Sequence, residues 1–365
     1  MSKIRVAIVC GGKSGEHEVS LASANCVLQA LDPDKYDVVV IGVTREGKWL
    51  LTDSPDRLLE SGVTPELTNT SELPIKPASN GLLPLPSREL KLDDSTVDVL
   101  FPVLHGPHGE DGAMQGLFEI SAIPYIGSGV LASALAMDKW AAKQMLERAG
   151  LESVPCTLVQ AVDWSDDPSS VLNAVERQLH YPVFVKPCNM GSSVGISKAR
   201  HRQELERAIA LSACYDRRVI VEQGVDAREV ECGVLGNEEP LVSVVGEVRP
   251  HHEFYDYEAK YSVGMADLLI PAPLSEAQTK EVQAMARRAY VALDCAGMAR
   301  VDFFVLRESG KIVLNEVNTI PGFTATSMFP RLWKASGVPY AELVDRLIAL
   351  AIQRHRQSAS RWIRR

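Results

Sequence analysis

The first 44 residues alternate strand-like and helix-like runs, and this rhythm constrains the fold more than any other feature of the chain. The apolar run IRVAIV at residues 4–9 precedes VSLASANCVLQAL, whose apolar residues have helical spacing, and YDVVVIGVT follows. Strand, helix and strand in succession are typical of a parallel sheet covered by helices. VDVLFPVLHG at 97–106 predicts a further strand, so we expect an α/β protein that begins with an open parallel sheet.

The remainder of the chain has the pattern of two α+β units. The first has strands at YPVFVKP, VGISKA and RRVIVEQG, and the second contains the strand pair GMARVDFFVL and KIVLNEVN. SALAMDKWAAKQMLERAG predicts one helix that ends at Gly150. Residues 52–95, rich in Pro, Ser, Thr and Asn, predict a surface insertion with little regular structure. The expected domains are residues 1–128, 129–224 and 225–365, with a cleft between the last two.

Composition and charge exclude several classes of protein. No apolar run approaches the roughly 18 residues of a membrane span, and the N-terminus lacks a signal-peptide pattern, so we expect a cytoplasmic protein without a membrane partner. The net charge of -9, with residues 354–365 as the only basic cluster, argues against a nucleic-acid partner. The seven scattered cysteines form no Cys-x-x-Cys pair and are expected to be buried, small apolar residues.

The segment CGGKSGEHEVS at residues 10–20 ends like a nucleotide-binding P-loop but lacks its first glycine. The P-loop spacing requires glycine at position 7, where this chain has Ala7. A tight turn at Gly11 and Gly12 is the alternative. It would lead into a helix whose first-turn acids, Glu16 and Glu18, complement the positive end of the helix dipole.

The strand pair near the C-terminus predicts a cluster of polar side chains. With a three-residue turn centred on Ser309 and a positive φ at Gly310, Asp302 faces Glu316 and Arg300 faces Asn318. Period-2 alternation places these four side chains on one face, which Phe304 and Leu314 continue as an apolar surface. Facing carboxylates need a positive partner, and oxygen ligands of this kind suit Mg²⁺. The alternative is the polar rim of a sheet with an Arg–Asp pair.

Four other segments are only weak indications of chemistry when each is taken alone. Lys186 ends an apolar strand before a Gly/Ser loop and suits a phosphate, although an ordinary hairpin turn has the same pattern. Glu222 ends a strand before a short link, where it could accept from an adenine amine. LHGPHGEDG follows a strand at its carboxyl end, where open α/β sheets bind ligands. Its histidines could bind zinc, but no third and fourth ligand follow at a familiar spacing, which disfavours a zinc site. YDYEAKY either contributes Lys260 and Tyr261 to a site or is an aromatic-rich surface loop.

Taken together, these segments resemble one family. LHGPHGEDG, MDKW, VKPCNMGSSVG, YDYEAKY and RVDFF followed by LNEVNTIPGFT occur in the order seen in D-alanine–D-alanine ligases of the ATP-grasp fold. GGKSGEHEVSL matches the N-terminus of that family, and the resemblance covers nearly the whole chain. It implies a three-domain ATP-grasp architecture whose last two units enclose the nucleotide. It also implies ATP-dependent joining of two D-alanines through an acylphosphate, for peptidoglycan precursor synthesis, by a homodimer.

The resemblance also implies roles for individual residues. ATP would be held by Lys139, Lys186, Glu222, Gln223, Val225, Glu229 and Lys260. Two Mg²⁺ ions, with Mn²⁺ as an alternative, would be bound by Asp302, Glu316 and Asn318. Substrate would be bound by Glu16, Val19, His105, Arg300, Gly322, Ser327 and Met328. The residues with catalytic roles would be Glu16, Ser192, Tyr261, Arg300 and Ser327, of which Glu16, Ser192 and Tyr261 would form one hydrogen-bonded chain.

Three positions bear on the choice of substrate. Tyr261 is the residue type of peptide-forming members, which favours an amine over a hydroxyl as nucleophile. Gln223 stands where some members have lysine, and Thr326 where some have histidine. Two alternatives stay open at this point: a ligase of the same fold that uses D-serine or D-lactate as second substrate, and a nucleotide-binding module without catalysis.

Overall fold

The structure, a computed structural model, describes residues 2–52, 71–72, 91–92, 95–250 and 266–362. Its strands are β1 (Ile4–Gly11), β2 (Tyr36–Val43), β3 (Trp49–Thr52), β4 (Ser71–Glu72), β5 (Lys91–Leu92), β6 (Ser95–Thr96), β7 (Val99–Pro102), β8 (Cys156–Gln160), β9 (Val183–Pro187), β10 (Ser197–Ala199), β11 (Arg218–Gln223), β12 (Ala227–Gly236), β13 (Leu241–Pro250), β14 (Ala266–Leu269), β15 (Gly297–Leu306) and β16 (Ile312–Asn318). Its helices are α1 (His17–Ala30), α2 (Ala113–Ser121), α3 (Val130–Met137), α4 (Lys139–Arg148), α5 (Ala161–Asp166), α6 (Pro168–Gln178), α7 (Arg202–Ala213), α8 (Glu276–Ala292), α9 (Met328–Ala335) and α10 (Tyr340–Trp362).

The N-terminal sheet is the predicted open parallel sheet. Its strand order is β4-β3-β2-β1-β7, in which β1 pairs in parallel with both β2 and β7. β3 and β4 extend it by antiparallel pairing, with β4 at the edge. β4 lies within the segment predicted to be an insertion. Most of that insertion lies outside the described residues.

Gly11 and Gly12 form the expected turn at the end of β1, with φ of 90° and 102°. A Cβ on Gly11 would lie 2.2 Å from the Val43 carbonyl oxygen, so the turn requires glycine there.

Two antiparallel sheets follow, as the α+β pattern predicted. One has the order β10-β9-β11-β8 and packs its apolar face against α6 and α7. The other has the order β14-β13-β12-β15-β16 and packs against α8. β11 and β12 are joined by residues 224–226 alone, so the end of β11 lies at the junction of the two sheets. α10 shares a buried core with β1, β7 and α9 and thereby joins the first sheet to the third.

The single helix predicted over SALAMDKWAAKQMLERAG was wrong. The structure has two helices, α3 and α4, separated at Asp138, whose ψ of 102° is extended. The Asp138 carboxylate accepts from the Ala141 backbone N–H and caps α4, which a mid-helix residue could not do. It also accepts from Asn189 and Arg218, so tertiary contacts fix the break. The predicted end at Gly150 is confirmed, because Gly150 has a φ of 72° and donates to the Glu147 carbonyl.

The hairpin of β15 and β16 has the predicted pairs but not the predicted turn. Asp302 faces Glu316 and Arg300 faces Asn318, yet Leu306 pairs with Lys311, which leaves four residues in the turn instead of three. Asn315 forms a bulge that restores the register. The apolar continuation was therefore also wrong. Leu314 lies opposite Phe303 in the buried core, while Phe304 lines the cleft described below.

Burial of the cysteines differs in part from the expectation. Cys10, Cys188, Cys232 and Cys295 are buried, whereas Cys214 is exposed near the end of α7.

The Arg354 guanidinium in α10 lies 4.3 Å above the Tyr125 ring and donates to the Gly127 carbonyl. The basic end of the helix is therefore partly an anchor onto the N-terminal unit.

Candidate active site

A cleft of about 940 Å³ brings nearly all the predicted site residues together. It opens between the second and third sheets, and the first unit contributes Glu16 and His105 to its lining. The other predicted residues that line it are Lys139, Lys186, Ser192, Glu222, Gln223, Val225, Glu229, Arg300, Asp302, Glu316, Asn318, Gly322, Ser327 and Met328. Among the described members of the set, Val19 alone is absent from the lining and lies half-buried in α1. Lys260 and Tyr261 lie outside the described residues.

Arg300 stands at the centre of the acidic end of the cleft. Its Nε and one terminal nitrogen donate to both oxygens of Asp302 at 2.8 and 2.7 Å, and its Nε lies 3.0 Å from a Glu231 oxygen. Asn318 also donates to Asp302, at 3.0 Å. Burial alone would lower the pKa of Arg300, but the carboxylates of Asp302 and Glu231 outweigh it and hold that pKa well above its usual range. The guanidinium therefore stays charged and fixed in the cleft.

Glu222 lies between two lysines at the end of β11. Lys186 Nζ is 2.6 Å from one carboxylate oxygen, and Lys143 Nζ on α4 is 2.9 Å from the other. Burial raises the pKa of Glu222, but the two lysines overcome it and lower that pKa to about 2. Glu222 is consequently an ionised, acceptor-only group at the junction between the two sheets. The neighbouring Gln223 side chain instead bonds to the backbone of His180 and Pro182.

The Gly/Ser loop after β9 is tied to the start of α4. Lys139 Nζ donates to the Met190 carbonyl at 2.7 Å, and burial lowers the pKa of Lys139. Ser192 and Ser193 both have positive φ, 50° and 60°, a backbone conformation that costs free energy in residues with a Cβ. Strain of this kind is typical of loops whose shape matters for ligand binding. The loop therefore holds its hydroxyl and amide groups in a defined arrangement at the cleft.

Glu16 of the N-terminal unit contacts this loop across the cleft. It immediately precedes α1 and is buried, and its side chain does not cap the helix. A Cβ on Gly191 would lie 3.1 Å from Glu16 Oε2, so only glycine lets the loop approach without displacing the carboxylate. Glu18 instead lies in the exposed first turn of α1 and pairs with Arg45. The dipole role expected of both acids therefore fits Glu18, while Glu16 faces the cleft.

His105 is a buried, neutral hydrogen-bonding group at the same end of the cleft. Its Nδ1 lies 3.0 Å from the Ile320 carbonyl, so Nδ1 carries the proton and Nε2 is left as an acceptor. The Ser23 hydroxyl lies 3.5 Å from Nε2. Burial lowers the pKa of His105, and the nearby Arg300 acts in the same direction. His105 is thus oriented by the strand end on one side and by α1 on the other.

The start of α9 forms the opposite wall. Ser327 precedes the helix, and its hydroxyl lies 2.7 Å from that of Thr324 and close to the backbone of Gly322. Met328, the first residue of α9, is buried and lines the cleft. The N-terminal end of a helix attracts negative charge, and this end offers a hydroxyl and backbone N–H groups. The arrangement suits a small carboxylate.

Sequence reasoning assigned no role in this site to three charged residues: Glu110, Lys143 and Glu231. Glu231 could have been found, because it is two positions from Glu229 on the same strand face and faces Asp302 across the sheet. Lys143 lies one helical turn after Lys139, which was a weaker signal. Glu110 lies within LHGPHGEDG, and its Oε1 accepts from the Gly106 backbone at 3.0 Å. Burial, followed by the charge of Glu16, raises the pKa of Glu110 to about 8.

Glu110→Gln is expected to change how stability depends on pH. Because the folded-state pKa of about 8 exceeds the usual 4.5, Glu110 contributes stability below pH 4.5 that is lost as pH rises towards 8. The glutamine variant does not titrate at this position. As pH rises from 5 to 8, the unfolding free energy of the variant should therefore increase by roughly 1–3 kcal/mol relative to that of wild type. Urea unfolding at both pH values measures the difference. Glu238→Gln in an exposed loop is the control, and an equal pH slope in Glu110→Gln and wild type would contradict the assignment.

Fold and site together define the class to which the chain belongs. Two antiparallel α+β sheets that face each other across a cleft lined by lysines and carboxylates are the ATP-grasp architecture. The family models for the D-ala D-ala ligase N-terminus and C-terminus match residues 5–128 and 145–349. The chain belongs to the D-alanine–D-alanine ligase family.

Individual relatives are similar along almost their whole length. A D-alanine–D-alanine ligase of Geobacillus thermodenitrificans is 48% identical over 355 residues, which are 97% of this chain and 97% of the relative. The solved D-alanine–D-alanine ligase of Coxiella burnetii is 35% identical with a TM-score of 0.85, covering 100% of this chain and 98% of that one. The VanG D-Ala:D-Ser ligase of Enterococcus faecalis is also 35% identical, with a TM-score of 0.83, covering 96% and 100%. Overall similarity of structure therefore does not distinguish a ligase that uses D-alanine as second substrate from one that uses D-serine.

Helices long and apolar enough to cross a bilayer are not found among the described residues.

Proposed function

We propose that this protein joins two D-alanines to D-alanyl-D-alanine with ATP, for peptidoglycan precursor synthesis. The observation that carries the proposal is the cleft itself, in which Glu16, the Lys186–Glu222 pair and the Arg300–Asp302 pair converge in a chain 48% identical to such a ligase. ATP would lie between the second and third sheets, with its phosphates near Lys139 and Lys186 and its adenine near Glu222. The Gln223 side chain donates to the His180 carbonyl, so a contact of Gln223 with ATP would come from its backbone.

The reaction would proceed in two steps. The carboxylate of the first D-alanine attacks the γ-phosphorus of ATP, the bond to ADP breaks, and an acylphosphate forms. The amine of the second D-alanine then attacks the acyl carbon, phosphate leaves, and the amine loses its proton. The fixed Arg300 guanidinium and the Gly322 amide would face the oxygen that becomes negative in the second step. Glu16 would bind the ammonium of the first D-alanine, and Ser327 at the start of α9 the carboxylate of the second.

The acidic residues of the hairpin fit Mg²⁺, which we propose as the cofactor. One guanidinium, that of Arg300, faces three carboxylates, those of Asp302, Glu231 and Glu316, so the four groups carry a net charge of -2. Across the described residues, no group of three His, Cys, Asp or Glu side chains has metal-binding geometry. Asp302 and Glu316 with the amide oxygen of Asn318 are therefore an incomplete set, and nucleotide phosphates and water complete such shells. Two bound Mg²⁺ ions, or Mn²⁺ in their place, would neutralise the negative charge of the transferring phosphoryl group.

Several further features belong to the same proposal. The domains would be residues 1–128, 129–224 and 225–365, each of which contains one of the three large sheets. Lys260 and Tyr261 would complete the site, with Tyr261 at the end of the chain Glu16–Ser192–Tyr261. We also propose that the protein is a cytoplasmic homodimer, which sedimentation of the purified chain would test.

The deciding experiment is phosphate release with different amino acids. D-Alanine should release phosphate and yield the dipeptide, whereas L-alanine should release little. D-Serine and D-lactate, each supplied with D-alanine, test the acceptor. The proposal would be wrong if phosphate release were fast only with D-lactate, or equally fast with both alanine enantiomers.

Replacing Glu16 with glutamine is expected to weaken binding of the first D-alanine about tenfold or more, because the ammonium loses a buried ionic partner. ATP should bind almost as before, since its proposed contacts lie on the other units. Initial rates at varied D-alanine and at varied ATP separate the two KM values. Glu18→Gln, in the exposed first turn of the same helix, is the control, and a larger effect on ATP than on D-alanine would reject the role.

A further inference from the structure

The ion pair between Lys143 and Glu222 links a residue outside the cleft to one inside it. Glu222 and Lys186 line the cleft, whereas Lys143 approaches the same carboxylate from α4 and is not among the described lining residues. The Lys143 side chain is 4% exposed and that of Lys186 is 14% exposed. Lys143 is thus sealed behind Glu222 and contacts the cleft only through that carboxylate.

The two lysines hold different oxygens of the carboxylate. Lys186 and Glu222 are diagonal neighbours on β9 and β11, because Glu222 pairs with Phe184 two positions away from Lys186. Lys186 takes Oε2 at 2.6 Å, and Lys143 takes Oε1 at 2.9 Å. An ion pair at each oxygen, from two different directions, restrains the carboxylate plane against turning. Without Lys143, Lys186 could draw both oxygens towards itself, and Glu222 would also lose half of the positive charge that keeps it ionised when buried.

Orientation and charge of this carboxylate determine what it can recognise. An ionised carboxylate only accepts hydrogen bonds, so it binds an exocyclic amine and repels a carbonyl oxygen in the same place. A buried acceptor that meets a group without a donor loses a hydrogen bond and stays desolvated, which is the usual origin of strong discrimination. Adenine and hypoxanthine differ along one edge: C6 carries an amine in adenine and a carbonyl oxygen in hypoxanthine, and the adjacent N1 accepts a hydrogen bond in adenine and donates one in hypoxanthine.

We propose that Lys143 is a positioning residue that sets the preference of the cleft for adenine, by fixing Glu222 in its ionised, acceptor orientation. The inference rests on the proposed function, which places the adenine of ATP at Glu222. Lys143 itself does not touch the nucleotide.

The test compares ATP with ITP in wild type and in Lys143→Met, which keeps the length of the side chain and removes its charge. In the variant, we expect the ratio of kcat/KM for ATP to that for ITP to fall about tenfold or more, and KM for ATP to rise. KM for D-alanine should stay within about threefold, because its proposed contacts are elsewhere. Lys143→Arg keeps the charge and should retain most of the preference. Lys280→Met removes an exposed Lys–Glu pair on α8 and should leave the ratio unchanged.

A double variant separates positioning from a general loss of packing. In a Glu222→Gln background, Lys143→Met should change the ATP to ITP ratio by less than about twofold, since the residue acts only through that carboxylate. This comparison also applies if the single Lys143→Met chain folds poorly, because the double variant removes both buried charges. An unchanged ratio in Lys143→Met, or a further large change in the double variant, overturns the inference. If wild type itself neither binds ATP nor releases phosphate from it, the proposed function fails instead.

Discussion

Dipeptide formation should fall by about a thousandfold or more when Glu316 is replaced by glutamine. The substitution removes one of the two carboxylates that face each other on β15 and β16 and leaves the size of the side chain unchanged. With less negative charge at this point, the proposed Mg²⁺ would be held poorly, and it would no longer compensate the charge of the transferring phosphoryl group. Product formation by chromatography at millimolar Mg²⁺ measures the loss.

A second measurement distinguishes loss of metal binding from loss of structure. Binding of Mn²⁺, followed by its electron paramagnetic resonance signal, should weaken in Glu316→Gln while the thermal unfolding transition stays cooperative. Glu308→Gln, an exposed acid in the turn of the same hairpin, should behave as wild type in both assays. Activity of Glu316→Gln close to that of wild type at millimolar Mg²⁺ would refute the assignment of the metal site.

Arg300→Met is the second substitution with a large expected effect, on stability as well as on catalysis. It leaves the carboxylates of Asp302 and Glu231 buried without their shared cation, which typically costs about 3–5 kcal/mol. Turnover should fall about a hundredfold or more, because in the proposed mechanism the oxyanion of the second step would lose its fixed positive partner. Urea unfolding gives the first quantity, and turnover normalised to the folded fraction gives the second.

The control for Arg300→Met is Arg346→Met, which removes an exposed i,i+4 ion pair on α10. Such pairs contribute about 0.3–0.5 kcal/mol, so this variant should be nearly as stable and as active as wild type. Equal stability of the Arg300 and Arg346 variants would show that the Asp302–Arg300–Glu231 group is not the coupled buried unit that its distances indicate.

The local patterns of the sequence were sufficient to predict most of the elements and the main polar pairs. An assumed three-residue turn placed Asp302 opposite Glu316, and this pairing is confirmed because the bulge at Asn315 offsets the fourth residue of the actual turn. The helix across Asp138 was mispredicted because its composition is helical throughout, while the break depends on Asn189 and Arg218, which are distant in sequence. The contact of Lys143 with the site was not predicted, for the same reason. Its partner Glu222 lies on another element, and helical spacing gives no information on what a buried lysine meets.

The bulge at Asn315 marks the position at which the β15–β16 hairpin can lose a residue. Leu314 pairs with Phe303 and Glu316 pairs with Asp302, so Asn315 is the one residue between these two pairs without an opposite residue on β15. A chain without Asn315 would pass directly from one pair to the next, with Leu314 still in the core and Glu316 still facing Asp302. Deleting Val317 would instead turn Asn318 to the opposite face of the sheet. The hairpin therefore tolerates the loss of one codon of the gene and not of the codon two places later.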